Sequence, residues 1–486
     1  MLARKGACIA CNRFGLGTRP GELDLAADPS RWLREQLAGG PALLSSGPDG
    51  ERLASTREIL AGLQPIVKAL RELRKQRAEA AADAAPDMGA ANGSSASSVG
   101  AEAQAIFMRL PQYLRPFYQA DVSARLHAAA TTDRPFVERL VHFWSNHFAV
   151  SVDKIQVLGV AGAMEREAIR PHVLGNFAEM LLAVEKHPAM LLYLDNPQSI
   201  GPHSILARLA RRRQLGLNEN LGREILELHT LGVDGGYTQA DVTAFARVLT
   251  GWSLGGGQGL LKRGGTGEFL FRPAVHEPGA QEVVAHRYAE DGMAQGESVL
   301  RDLAHAPATS THIATKLVRH FIADDPPAAA VTRVARAFER SGGDLPSVYA
   351  ALIDCQEAWE APFSKFRTPQ DYVFAAHRAL GLADADSLAR GTAAFQLLGQ
   401  RQFAPGSPAG WPDRSVDWDG SAALMKRIEW ADLVGRKVGA RIDAAALAPA
   451  LWGEALSDAT REQLAHAASR EQALTLLLTA PEFMRR

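Results

Sequence analysis

Asn218-Glu219-Asn220-Leu221-Gly222-Arg223-Glu224-Ile225-Leu226-Glu227-Leu228-His229-Thr230-Leu231-Gly232-Val233-Asp234-Gly235-Gly236-Tyr237 sets a dense run of ionisable and amide side chains among apolar residues of helical spacing. Leu221, Ile225 and Leu228 recur at i, i+4 and i+7, which at about 100° per residue sets them on one face of a helix. Asn220, Glu224, Glu227 and Leu231 recur in the same way along an adjacent stripe. Two carboxylates and an amide therefore border an apolar face that must be buried, where an unpaired polar group is most costly. The same projection sets His229 across the apolar face and outside the stripe.

Helical periodicity extends outward in both directions from this segment. Asp28-Pro29-Ser30 reads as a helix start, and Arg57 to Arg77 reads as a long charged helix. Ala101 to Ala130 and Arg134 to Val150 follow, the second carrying Phe143 and Trp144 on the same face as His147. Thr238-Gln239-Ala240-Asp241 has capping-box spacing and opens a helix that should stop at Gly251. Glu268 to Arg272 is the one convincing short strand in this half, and Leu300 to Ala323 reads as a single helix. Arg401 to Asp419 is irregular and rich in Pro, Gly and Trp. The fold class expected is mostly α, a compact multi-helix domain with at most a small β-hairpin. The expected organisation is an N-terminal helical part at 1–77, a low-complexity mobile insertion at 78–100, where large apolar residues nearly vanish, and a main helical part of the same domain at 101–486.

A chain of 486 residues with 47% hydrophobic and 22% charged residues belongs with globular proteins rather than disordered ones. A formal net charge of -1 provides no global field toward nucleic acid or anionic membrane. Three cysteines cannot form a disulfide framework, and Cys8-x-x-Cys11 stands alone without a second pair. No run approaches the roughly 18 apolar residues of a membrane span, and the first residues lack a signal-peptide apolar region. The expected location is cytoplasmic, or periplasmic if the true start lies upstream.

Asn12-Arg13-Phe14-Gly15-Leu16-Gly17, Phe143-Trp144-Ser145-Asn146-His147-Phe148, Leu191-Leu192-Tyr193-Leu194-Asp195-Asn196, Asn218 to Glu224, Thr230-Leu231-Gly232, Leu249-Thr250-Gly251-Trp252 and Ala409-Gly410-Trp411-Pro412 occur in this order over nearly the whole chain. In this combination the chain resembles the bacterial family called domain of unknown function 1800. The resemblance implies a mostly helical protein without an assigned activity. It also implies a partnership with a neighbouring family similar to phosphatases and sulfatases, and export in many relatives.

Two function classes follow from the residues. The first is a metal-dependent, hydrolase-like enzyme with a Glu/His site on facing helices. Glu224, Glu227 and Asn220 would be its catalytic groups, and His147, Glu224 and His276 the ligands of a divalent transition metal that activates water. The alternative within the same helix is architecture, with Arg223 pairing Glu227 at i, i+4 and Arg247, Lys316 or Arg319 neutralising Glu224. The second class is a non-catalytic helical binding or scaffold protein, which docks a phosphatase- or sulfatase-like partner through loops around Trp252 and Trp411. No phosphate-loop pattern and no Gly-x-Ser-x-Gly elbow is present.

Overall fold

The computed structural model describes residues 2–83, 93–209, 216–256, 264–360 and 363–486. Helices dominate, and the strands among the described residues form two antiparallel pairs. Strand β1 (Trp252–Leu254) pairs with β2 (Phe269–Phe271), with Trp252 opposite Phe271. Strand β3 (Gln281–Val283) turns back on β4 (His286–Tyr288) as a hairpin. Of the 78–100 stretch, 84–92 lie outside the described residues. The Gln64–Asp83 helix ends on one side of them and the Gly93–Thr131 helix begins on the other. Residues 210–215, which include the run Arg211-Arg212-Arg213, and residues 257–263 are also outside.

Local signals set the helix starts. Asp28 accepts a hydrogen bond from the Arg31 backbone, with Pro29 in the first turn of Pro29–Leu37, where its missing N–H costs nothing. Thr238 and Asp241 close a reciprocal capping box at the head of Gln239–Val248, and Gly251 turns the chain at φ +89°. The single helix expected over Leu300 to Ala323 is instead two, Met293–His305 and Pro307–Phe321. Pro307 cannot donate to the preceding turn, so Ala306 becomes extended and a second helix starts on the proline. Pro307–Phe321 supplies one wall of the site described below.

Apolar side chains form two large clusters. The first gathers Phe14, Phe136, Trp144, Phe177, Phe321 and Tyr349, with Phe14 stacked on Phe321 and Trp359. The second gathers Tyr372, Trp430, Trp452 and Phe483 from the C-terminal helices, joined by Cys8, Leu16, Val122 and Leu126 from much earlier in the chain. Both ends of the sequence are thereby committed to one packing arrangement. Tyr118 and Phe403 pack against both clusters and mark where they meet. No helix among the described residues is long and apolar enough to cross a membrane.

Candidate functional site

The focal segment is helical, but not with one period. Asn220–Glu224 is α-helical and Ile225–His229 is a π-helical turn, in which hydrogen bonds run i to i+5. The wider turn corrects the expected projection, because it carries His229 round toward Glu224, and the imidazole lowers the Glu224 carboxyl electrostatically. The net shift of Glu224 is nevertheless upward, first because it is half-buried, then because Glu227 and Glu185 lie near it. His229 itself is fully buried, with Nδ1 2.7 Å from Oε1 of an equally buried Glu185. Asn220 is exposed, and its backbone N–H donates to the Asn218 side chain. The expected Arg223–Glu227 pair is absent: Arg223 bonds Glu219 at 3.0 Å, one turn earlier.

The last carbonyls of the π-turn are caught from outside. His147, the final residue of the Pro135–His147 helix, donates from Nε2 to the His229 carbonyl at 3.2 Å. His312, on Pro307–Phe321, donates from Nε2 to the Leu228 carbonyl at 3.0 Å. Only a protonated ring nitrogen can bond a carbonyl, so each imidazole carries its hydrogen on Nε2 and keeps Nδ1 as a bare acceptor. Burial holds His147 well below the ordinary histidine range and pulls His312 down to about 4. Nδ1 of His147 has no protein partner.

His276 stands apart from this arrangement. Its Nδ1 bonds the Thr250 carbonyl at 2.8 Å and its ring meets Phe271 edge-on, while the adjacent Glu277 is engaged by His203. His147, Glu224 and His276 therefore sit in separate surroundings. No group of three or more His, Cys, Asp or Glu side chains among the described residues is placed to hold a metal ion. The turn carrying His276 is tied to the Leu249-Thr250-Gly251-Trp252 segment, where the Glu277 N–H also donates to Thr250 Oγ1 at 2.8 Å. Trp252 is likewise no exposed anchor, being fully buried against Phe269.

His147 instead lines a cavity of about 220 Å³ at the junction of the two apolar clusters. Its walls come from Pro135–His147, Pro307–Phe321, the head of Pro369–Leu380 and the irregular segment 400–413. Asn146 latches that segment in place: its amide donates to the Trp411 carbonyl at 2.9 Å and accepts from the Trp411 N–H at 2.8 Å. Gly410, at φ +84°, lets the chain pass there, since a Cβ would lie 2.3 Å from the Asn146 carbonyl oxygen.

The walls carry four permanent or near-permanent cations, Arg125, Arg139, Lys316 and Arg319, against two carboxylates, Asp371 and Asp413. Both acids are already engaged. Asp371 sits 3.1 Å from Arg139 and 3.0 Å from Arg486, and these guanidiniums more than reverse the upward push of burial on its carboxyl. Asp413 accepts from His320 at 2.8 Å and is held ionised, against burial, by His320, Lys365 and Arg486. Burial pulls His320 down to about 4, so it is neutral at pH 7, donating through Nδ1. Arg125 pairs with Glu165 at 2.9 Å. Lys316 and Arg319 are left: neither makes a side-chain hydrogen bond or an ion pair with any described residue, and Nε of Arg319 is buried without a partner. They do not neutralise Glu224.

The sequence trace of this site is the spacing of His312, Lys316, Arg319 and His320 at i, i+4, i+7 and i+8 along one helical stripe, a pattern that an ordinary solvated helix face shares. A model of the family described as protein of unknown function, DUF1800, matches residues 9–485. No curated protein and no solved structure matches the chain.

Proposed function

The chain belongs to the DUF1800 family, and on that premise we propose that it binds a small anionic molecule, bearing a carboxylate, phosphate or sulfate group, in the cavity between His147 and Trp411. One observation carries this reading: Lys316 and Arg319 line the cavity without an ion pair, while the surrounding buried cations have theirs. A partly buried cation with no ion-pair partner of its own is poorly compensated, and an anionic guest supplies the missing partner. Arg319 offers a planar fork suited to two oxygens and Lys316 a point charge. His147 adds a neutral acceptor, so the guest meets both fixed positive charge and a group able to take a proton.

Titration calorimetry with inorganic sulfate and phosphate tests this. Binding should weaken with added NaCl, and Lys316→Gln or Arg319→Gln should each weaken it about tenfold or more, the worth of one charge-assisted hydrogen bond. Absence of binding by the parent protein, or binding indifferent to both substitutions, would sink the proposal.

A second reading retains Glu224 and Glu227 as an acid–base pair of a hydrolase-like enzyme. The upward shift of Glu224 by half-burial, Glu227 and Glu185 favours it, because a carboxyl moved toward neutrality exchanges protons more readily at physiological pH. In that case Glu224→Gln abolishes turnover while leaving sulfate affinity in the cavity unchanged. A Glu224→Gln protein with undiminished turnover ends this second reading.

A further inference from the structure

We propose that Lys316 is a nucleophilic amine that condenses with an anionic carbonyl compound, a small 2-oxo acid or an aldehyde carrying an acidic group, to form a Schiff base in the cavity. The inference rests on the anion-binding reading above and adds the substrate class and the atom that reacts. The geometry points to it in three ways. Nζ of Lys316 has no hydrogen bond or ion pair to hold it protonated, yet the side chain keeps some exposure within the cavity and so can be reached. A cationic neighbour stands beside it: Arg319 lies three residues on along the same helix and acts on the amine. Finally, His147 brings an imidazole whose free Nδ1 can carry protons.

The charged and titratable groups facing Lys316 from the elements around it are His312 and Arg319 on its own helix, His147 on the neighbouring helix and Asp413 on the 400–413 segment. Asp413 alone favours the ammonium, and it is already shared among His320, Lys365 and Arg486. Burial is the largest influence and lowers Lys316 to about 8, with Arg319 acting in the same direction. A desolvated lysine beside another cation is the usual way a protein makes an amine nucleophilic near neutral pH.

The step balances without an added oxidant or reductant. The Nζ lone pair attacks the carbonyl carbon, and the carbonyl oxygen takes a proton to give a carbinolamine. That oxygen then leaves as water, taking its second proton from the nitrogen, so that a C=N bond replaces the C=O bond. His147 Nδ1 can relay the proton from nitrogen to the departing oxygen. Arg319 holds the acidic group of the guest, which fixes its carbonyl carbon near Nζ.

The test uses the full-length protein, glyoxylate as an anionic aldehyde, acetaldehyde as a neutral one, and cyanoborohydride to trap any imine as a secondary amine, with labelled sites located by peptide mass mapping. Exposed lysines such as Lys426 and Lys437 are internal references. The expected result is that glyoxylate labels Lys316 about tenfold faster than these references near pH 7.5, as a lowered amine affinity for protons would give. The advantage should shrink with acetaldehyde and fall when sulfate competes. The labelling rate of Lys316 should also level off above about pH 8, where the amine is already free, while an ordinary lysine keeps gaining to about 10.4. Labelling of Lys316 no faster than Lys426 overturns the proposal. If sulfate still binds in that sample, the anion reading survives and only the amine chemistry falls. Fast labelling of Lys316 by both aldehydes alike, untouched by sulfate, overturns the substrate class and the anion reading together.

Discussion

At the scale of single residues, the protein tolerates ionisable groups in its interior by fixing which of them carry charge. Arg170 shows how tightly. It is 2.6 and 2.9 Å from the two Glu138 oxygens and 3.0 Å from Glu165, with all three side chains almost fully buried. Arg170→Met leaves Glu138 without its guanidinium partner, while Glu165 keeps only Arg125, so a loss of about 3–5 kcal/mol in unfolding free energy is expected from denaturant titration, and a loss under 1 kcal/mol would contradict the arrangement. The histidines impose a pH limit of the opposite chemical kind. His312 and His320 are each lowered by burial from 6.5 to about 4, so between those values the unfolded chain takes up protons that the folded chain refuses. Stability from this source is complete above about pH 6.5 and is lost as pH falls toward 4. Calorimetric melting temperatures at pH 7.5, 6 and 4.5 should therefore decline across that interval. A level profile would show that the rings are not held neutral. His147 and Glu224 were legible as special in the sequence because polar residues crowd an apolar face. Lys316 and Arg319 were not, since charges spaced three apart on an amphipathic helix look like an ordinary solvated face. Only segment 400–413, nearly a hundred residues later, closes over them.

At the scale of elements, the π-turns explain where helix reading succeeded and where it slipped. Helix existence was readable from the periodicity and the caps at Asp28 and Thr238, because those depend on neighbours within four residues. The three π-turns among the described residues, Ala10–Phe14, Glu165–Ile169 and Ile225–His229, each admit one extra residue per turn, and no local signal announces it. Tertiary contacts stabilise the Ile225–His229 turn: Thr230 Oγ1 donates to the Ile225 carbonyl at 2.6 Å, and His147 and His312 satisfy the carbonyls that follow. Gly232 completes the device, because at φ +87° it reverses the chain while His312 packs against it. A Cβ there would lie 2.8 Å from His312 Nδ1 and would also force an unfavourable backbone. Gly232→Ala should cost about 1–3 kcal/mol and shift the His312 ring signals in NMR spectra, whereas a neutral substitution would mean that the turn can relax independently of His312. The strand at Phe269–Phe271 was readable from alternation and aromatic content, but its partner Trp252–Leu254 was not, because three residues are too few to show a period.

At the scale of the whole molecule, the cavity is the place where two separately packed cores are joined, and the join is made of polar latches rather than apolar contact alone. One wall belongs to the helices of the first cluster, and the other to the head of Pro369–Leu380 in the second and to the 400–413 segment, which places Ala404 in the first cluster and packs Trp411 against the second. Sequence patterning could indicate that each core exists, since each is built from repeated apolar faces. It could not indicate the join, which depends on Asn146 meeting a backbone 265 residues away. This arrangement separates binding from folding in a testable way. Asn146→Ala removes two hydrogen bonds to the Trp411 backbone but no buried charge and little apolar surface, so global stability should fall by only about 1–3 kcal/mol. The Trp411 N–H and carbonyl then lose their partners, and the segment that carries Asp413 is freed to move relative to Lys316 and Arg319. Sulfate affinity should drop about tenfold or more, since a charged site depends steeply on the positions of its members. Amide hydrogen exchange should quicken across 400–413 while remaining slow in Phe177–Glu185, deep in the first core. Should Asn146→Ala instead bind sulfate as the parent does, with unchanged exchange, the two cores are fixed to each other by other contacts and the latch has no bearing on the cavity.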